Sequence, residues 1–218
     1  MMDSFKRVNF ENNRFYCIQN SWMPSVTSVL KLVSDNKIAE WRRRVGVANA
    51  DAISKMASER GTRIHAYCER ALKGEELQLN LEDAEYFSRA FSNELLKITN
   101  VLAIEECVFS EKHGFAGTVD CIGEYDGVLS IIDFKTSTRL KQKRYIESYF
   151  MQTAAYSIAH EEMTGRRIEQ LVIIIGVADL METQVFIEKI DGPSGNWREL
   201  FFKYLRLFKE KFSYPDYL

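Results

Sequence analysis

The stretch GTVDCIGEYDGVLSIIDFKTS, Gly117 to Ser137, restricts the fold more than any other part of this 218-residue chain. Val119 to Tyr125 and Val128 to Lys135 are rich in β-branched and aromatic residues, and Asp126-Gly127 between them is a favoured two-residue type I′ turn. A tight turn without a bulge sets Asp120 opposite Asp133, Thr118 opposite Lys135 and Ile122 opposite Ile131 on one face. The other face pairs Val119 with Phe134 and Cys121 with Ile132, an apolar set suited to a core.

Like charges directly opposed on neighbouring strands are destabilising, with Cβ atoms only ~4.5–5.5 Å apart. Lys135 supplies part of the compensation. A divalent cation takes carboxylate oxygens naturally, and Mg²⁺ asks for only one or two protein carboxylates beside water and substrate phosphate. The competing reading is a surface salt bridge in which Lys135 neutralises two solvated aspartates.

Gly117-Thr-Val-Asp120 followed by Ile-Ile-Asp133-Phe-Lys135-Thr-Ser137 resembles the core of the PD-(D/E)XK nucleases, in particular the RecB-like branch. Gly61-Thr-Arg-Ile-His65 with Glu69 resembles that branch's upstream histidine motif, and Gln152-Thr-Ala-Ala-Tyr156 its downstream Q-x-x-x-Y motif. Pro24-Ser-Val-Thr-Ser-Val-Leu30 resembles a segment of the mitochondrial genome maintenance exonuclease group and its phage relatives. The resemblance implies a metal held by His65, Asp120, Asp133 and the Phe134 carbonyl, with Lys135 positioning a water or stabilising charge on the phosphate. It implies that Gln152 fixes the lysine or a phosphate, that Tyr156 contacts the nucleic-acid backbone, and that Thr136 and Ser137 donate to adjacent phosphates. Glu105 aligns with an acidic position of related nucleases, and its neighbour Glu106 points to the opposite side of the strand.

The flanking segments also have readings of their own. Asp51 to Lys73 carries Ile53, Met56, Ile64, Cys68 and Ala71 at helical spacing, which predicts an amphipathic helix with His65 beside its apolar stripe. Gly61 suits a place where another backbone or a ligand comes close. A lone helical histidine is more often semi-buried than ligating, and Glu69 either orients it or pairs with Arg63 or Lys73. Gln152 and Tyr156 share one face of a helix expected over Tyr149 to Glu161.

Net charge is −2, so composition alone does not announce a nucleic-acid binder. Basic character is local: Arg42, Arg43 and Arg44 beside Trp41, Arg60 and Arg63 before His65, and the run from Arg139 to Arg144. Such clusters are usually solvated faces, but around a metal centre they guide phosphates, and Trp41 or Tyr67 is placed to stack on a base. The four cysteines are scattered and include no C-x-x-C, which counts against zinc and against an iron–sulfur cluster. Met1 to Lys6 has neither a signal core nor a transit-peptide composition, and no run approaches membrane-spanning length, so a cytoplasmic protein, in the host cytoplasm if phage-encoded, is expected.

Further strands are expected over Gln170 to Ala178, Gln184 to Ile190 and Val101 to Phe109, a helix over Leu81 to Ile98, and a closing helix from Asn196 to Phe212 after a Gly192–Gly195 breaker. The expected fold is α/β, a restriction-endonuclease-like core with a central mixed β-sheet flanked by helices. Residues 1–218 are read as one nuclease domain, with 1–100 a mainly helical wall or arch carrying the histidine motif and 101–218 the catalytic core. The expected activity is Mg²⁺- or Mn²⁺-dependent hydrolysis of DNA, as an exonuclease on single strands or free ends in replication, repair or recombination, with proteins of those processes as partners. An endonuclease or RNase of the same fold and a catalytically silent nucleic-acid-binding module are the alternatives. A helical arch bearing Arg42, Arg43, Arg44, Arg60 and Arg63 would enforce end dependence by making a strand thread through it.

Overall fold

From the turn out to Cys121 and Ile132 the hairpin forms with the expected register, but the expected pairings of Asp120 with Asp133 and Thr118 with Lys135 are not part of the ladder. The computed structural model describes residues 5–190, 192 and 196–215, with 35–37 by their backbone only. Strands β5 (Phe115–Tyr125) and β6 (Val128–Ser137) meet at Asp126 and Gly127, whose φ values of 49° and 78° are those of a type I′ turn. Tyr125 faces Val128, Ile122 faces Ile131 and Cys121 faces Ile132.

Beyond Cys121 and Ile132 the ladder stops. The Phe134 N–H donates to Asp120 Oδ2 at 2.9 Å, so the carboxylate itself occupies the gap where backbone pairing was expected. Side-chain alternation slips at the same place. Val119 joins Phe115 and Ile122 in one core, whereas Cys121 joins Ile132 and Phe134 in the other. A regular strand puts residues three apart on opposite faces, so Val119 and Ile122 share a core only because the strand is distorted at Asp120 and Cys121. The neighbouring strand β4 (Ile98–Ser110) is distorted at the same level, with Glu105 at a φ of 49°. The expected pairing of Val119 with Phe134 on a single apolar face is therefore corrected: both faces of the hairpin are covered.

Burial on both sides follows from the hairpin's place in the sheet. The strand order is β4-β5-β6-β7-β8, with β6 and β7 (Gln170–Val177) parallel and β8 (Glu182–Lys189) antiparallel at the edge. Every residue of β7 is buried, as expected of a strand with helices on both faces. Helices α1 (Val26–Val45), α5 (Glu147–Thr164) and α6 (Trp197–Lys211) pack into the first core. The second is built from α2 (Val47–Leu72), α3 (Leu81–Phe87), a π-helical turn at Ser88–Ser92 and α4 (Asn93–Leu95). This five-stranded mixed sheet flanked by helices is α/β and consistent with a restriction-endonuclease-like core.

Several elements differ from expectation. The N-terminal wall begins with an antiparallel meander, β1 (Lys6–Phe10), β2 (Asn13–Ile18) and β3 (Ser21–Pro24), and not with a helix. Its turns at Glu11-Asn12 and Gln19-Asn20 adopt positive φ without glycine, a role asparagine tolerates better than most residues. The apolar stripe of α2 is buried only toward its C-terminal end: Ile64 and Cys68 are fully buried, but Ile53 and Met56 are 51% and 69% exposed. The helix expected to run to Ile98 is broken by the π turn, and Ile98 already belongs to β4. Asn196 caps α6 by accepting the Glu199 N–H, while of the expected breaker Gly192–Gly195 only Gly192 lies within the described residues. No helix among the described residues is long and apolar enough to cross a membrane.

Candidate active site

Where β5 and β6 part, a cavity of about 360 Å³ opens. Asp120 and Lys135 reach it from the hairpin, His65 from α2, Glu105 from β4, and Gln152 and Tyr156 from α5. Each of these positions has a local cause. Ile64 and Cys68 are buried in the second core, which fixes the rotation of α2 and turns His65 toward the sheet. On α5, a Cβ at Gly117 would lie 2.6 Å from the Tyr156 ring, so glycine there is what lets the buried tyrosine lie against β5.

His65 Nδ1 stands 3.5 Å from Asp120 Oδ2 and 3.9 Å from Glu105 Oε1. One candidate ligand atom from each of these three residues lies within 4.8 Å of the others. Asp133, only 1% exposed, is held from the other side: its Oδ1 accepts from the Lys135 ammonium and from Gln152 Nε2, the latter at 2.9 Å. Its Oδ2 is buried with no hydrogen-bond partner. A buried anionic oxygen without a partner is costly, so this donor set of imidazole and carboxylates fits a hard divalent cation. Lys135 also lies 5.3 Å from the Tyr149 ring centroid, a cation–π distance.

The Asp133 carboxyl is pushed up to about 6, chiefly by burial, with Lys135 opposing the rise and the charge on Asp120 adding to it. Burial works against a charged His65 imidazole, yet Asp120 and Glu105 raise it above its ordinary value. Lys135 is likewise raised, with burial opposed by the charges of Asp133 and Asp120. Burial also lifts Tyr156 well above the usual phenol value, so it faces the cavity as a neutral hydroxyl.

Other residues singled out from the sequence are engaged elsewhere. Glu69 bonds Lys73 at 2.6 Å, the second of its two expected pairings, and not His65. Arg63 forms a forked pair with Asp83 at 2.9 and 3.4 Å, where Asn80 and Tyr67 also bond. Arg42 pairs with Asp51 at 2.7 Å, and Arg43 and Arg44 are exposed; neither these nor half-buried Trp41 lines the cavity. The Ser137 hydroxyl donates to the Arg139 carbonyl at 2.6 Å, which occupies the proton expected to serve a phosphate. Thr136 Oγ1 lies 3.9 Å from where a Gly61 Cβ would be, an ordinary contact, so the close approach expected at that glycine is mild.

Arg7, Arg14 and Tyr16 of the meander also line the cavity, with Ser25 and Thr27 at the start of α1. The sequence reading passed over the two arginines. The signal for Arg7 was the alternation of polar and apolar residues along Arg7-Val8-Asn9-Phe10, which marks a strand with one polar face.

No protein-family model matches the chain. It is 27% identical over 179 residues to mitochondrial genome maintenance exonuclease 1 of Homo sapiens, the match covering 74% of this chain and 51% of that protein. The Mus musculus protein of the same name is 26% identical over 180 residues, covering 74% and 52%, and that of Xenopus tropicalis 26% over 186 residues, covering 73% and 50%. The chain thus spans about half the length of the curated relatives it matches. With a mixed α/β sheet and a cluster of acidic and histidine side chains where its central strands part, the chain resembles the mitochondrial genome maintenance exonuclease group.

Proposed function

We propose that the chain is a divalent-metal-dependent deoxyribonuclease that removes nucleotides from single strands or strand ends. The observation that carries this reading is the meeting of His65, Glu105 and Asp120 beside a buried Asp133 whose Oδ2 has no partner and whose Oδ1 holds Lys135. Exonuclease relatives support the class of reaction. His65, Asp120 and Asp133 would hold Mg²⁺ or Mn²⁺ with the Phe134 carbonyl, and Glu105 stands close enough to join them. Bound there, the cation supplies Lewis-acid polarisation of the scissile phosphate and a lower pKa for the attacking water.

The chain's own groups do the rest. Lys135, held cationic by Asp133 and Asp120, stabilises charge developing on the phosphate oxygens. Gln152 and Lys135 both bind Asp133 Oδ1, which fixes the carboxyl's rotation and aims Oδ2 consistently. Tyr156 underlies β5 and keeps Gln152 in place through its hydroxyl at 3.4 Å. Residues from both the N-terminal portion and the sheet line one cavity, which favours their working as a single unit.

The test is digestion of end-labelled linear and closed circular single-stranded DNA with Mg²⁺ or Mn²⁺, against EDTA. Loss of the linear strand with survival of the circle is expected. Rapid cutting of the circle would replace the exonuclease with an endonuclease, and no metal-dependent cutting of either would leave a silent binding module.

A further inference from the structure

The two arginines of the meander form a cationic wall that the nuclease reading does not use. Arg7 pairs across the strands with Tyr16, and Arg14 precedes Tyr16 by two residues, so the three side chains stand on one face. Arg7 and Arg14 are then diagonal neighbours, ~7–8 Å apart by strand geometry. Like charges so placed repel, yet no ion pair or hydrogen bond engages either guanidinium among the described residues. By contrast, Arg42, Arg63, Arg70 and Arg198 each meet a carboxylate.

The wall is fixed relative to the acidic cluster. Tyr16 is buried, and its hydroxyl lies 3.1 Å from Thr118 Oγ1, two residues from Asp120 on β5. Ser25, bridged to Ala116 of β5, continues the same lining with Thr27. One small cavity therefore has carboxylates and imidazole at one part of its lining and two unpaired guanidinium forks at another. Arginine's planar fork matches phosphate oxygens bidentately.

We infer that Arg7 and Arg14 grip a phosphodiester of the bound strand next to the scissile one, so that the meander, and not the Arg42–Arg44 run, sets the strand's register at the centre. The inference rests on the nuclease reading, and its test separates the two. Wild-type protein is first given a linear single-stranded oligonucleotide with Mn²⁺; absence of cleavage and of binding sinks the nuclease reading itself. If wild type binds, a series of oligonucleotides is then used, each with one phosphate replaced by a neutral methylphosphonate.

Neutralising one particular phosphate should weaken wild-type binding most. In Arg7→Ala/Arg14→Ala the penalty at that position should vanish while others persist, and the slope of log affinity against log salt should become shallower by ~0.7, the value for one lost phosphate contact on a single strand. Arg7→Lys/Arg14→Lys should restore the salt slope but only part of the position-specific penalty, because lysine keeps the charge and loses the fork. Should the alanine pair fail to fold, the lysine pair still reads the positional effect. An unchanged methylphosphonate profile and salt slope in the variants overturns the inference while leaving the nuclease reading intact.

Discussion

The β5–β6 hairpin and the β1–β3 meander line the same cavity, but they reach it by opposite routes. The hairpin brings buried carboxylates on central strands, with Asp120 and Asp133 only 8% and 1% exposed. The meander brings exposed guanidinium groups from a small separate sheet. Burial makes charge expensive, and an expensive charge needs a defined partner. In the proposed nuclease the hairpin is therefore where chemistry concentrates, and the meander where binding energy can be added at little structural cost.

That contrast is broken most directly at Lys135. Lys135→Ala removes the cation that faces Asp133 and, in the proposed nuclease, the scissile phosphate, and should lower the cleavage rate at saturating DNA by at least ~10²-fold. DNA affinity should change far less, since the arginines of the meander remain. Single-turnover cleavage and equilibrium binding of one oligonucleotide separate the two quantities. A variant that cleaves at the wild-type rate removes the hairpin from the chemistry.

The next effect is on cation binding and its pH dependence. Asp133 is raised to about 6 and His65 above its ordinary value, so both hold protons at mildly acidic pH. For such raised groups the stabilising contribution in the cation-free protein is present below the unfolded pKa and is lost as pH rises through the folded one. A cation must displace those protons, so its stabilisation has the opposite trend. Mn²⁺ should raise the thermal midpoint at pH 8 and do so little at pH 5.5, with His65→Ala weakening the shift at pH 8. Equal shifts at both pH values would show that these groups are not ligands.

How much of this was legible in the sequence also divides along the same line. The hairpin was legible because its turn, its β-branched strands and its paired aspartates are all local, and register follows from the turn. The gap at Asp120 was not, because it depends on the distortion at Asp120 and Cys121 and on Glu105 in a different strand. The meander's turns, Glu11-Asn12 and Gln19-Asn20, contain no glycine and so lack the kind of local signal that Asp126-Gly127 gives the hairpin, which left Arg7 and Arg14 without a strand to place them. Arg42 and Arg63 were conspicuous as charges, but Asp51 and Asp83, which engage them, are distant enough in sequence to give no warning.

A smaller effect is expected at Gly117, which joins the hairpin to α5. An added Cβ would approach the Tyr156 ring to 2.6 Å and its hydroxyl to 3.2 Å, and the fully packed tyrosine has no free direction in which to withdraw. Gly117→Ala should cost roughly 1–3 kcal/mol of stability by overpacking. It should also lower activity by displacing Gln152 from Asp133. Denaturant unfolding reads the first, and a variant as stable as wild type would mean that α5 is free to shift.

The smallest effect is expected at Glu69, and it sharpens the comparison because Glu69 lies one helical turn from His65 on α2. The turn that separates them changes their surroundings: His65 faces Asp120 and Glu105 in the cavity, whereas Glu69 pairs with Lys73 at 2.6 Å along the helix. Both partners of that pair are about a third exposed or more, at 31% and 40%, so water screens it and the pair contributes little to stability. Glu69→Gln should therefore shift the unfolding midpoint slightly and leave the Mn²⁺ titration of cleavage unchanged. His65→Ala in the same assay should demand more cation for half-maximal rate. If Glu69→Gln moved the cation titration as far as His65→Ala does, the carboxylate would have to swing from Lys73 to the imidazole when the site is loaded, and the cavity-facing stretch of α2 would extend one turn beyond His65.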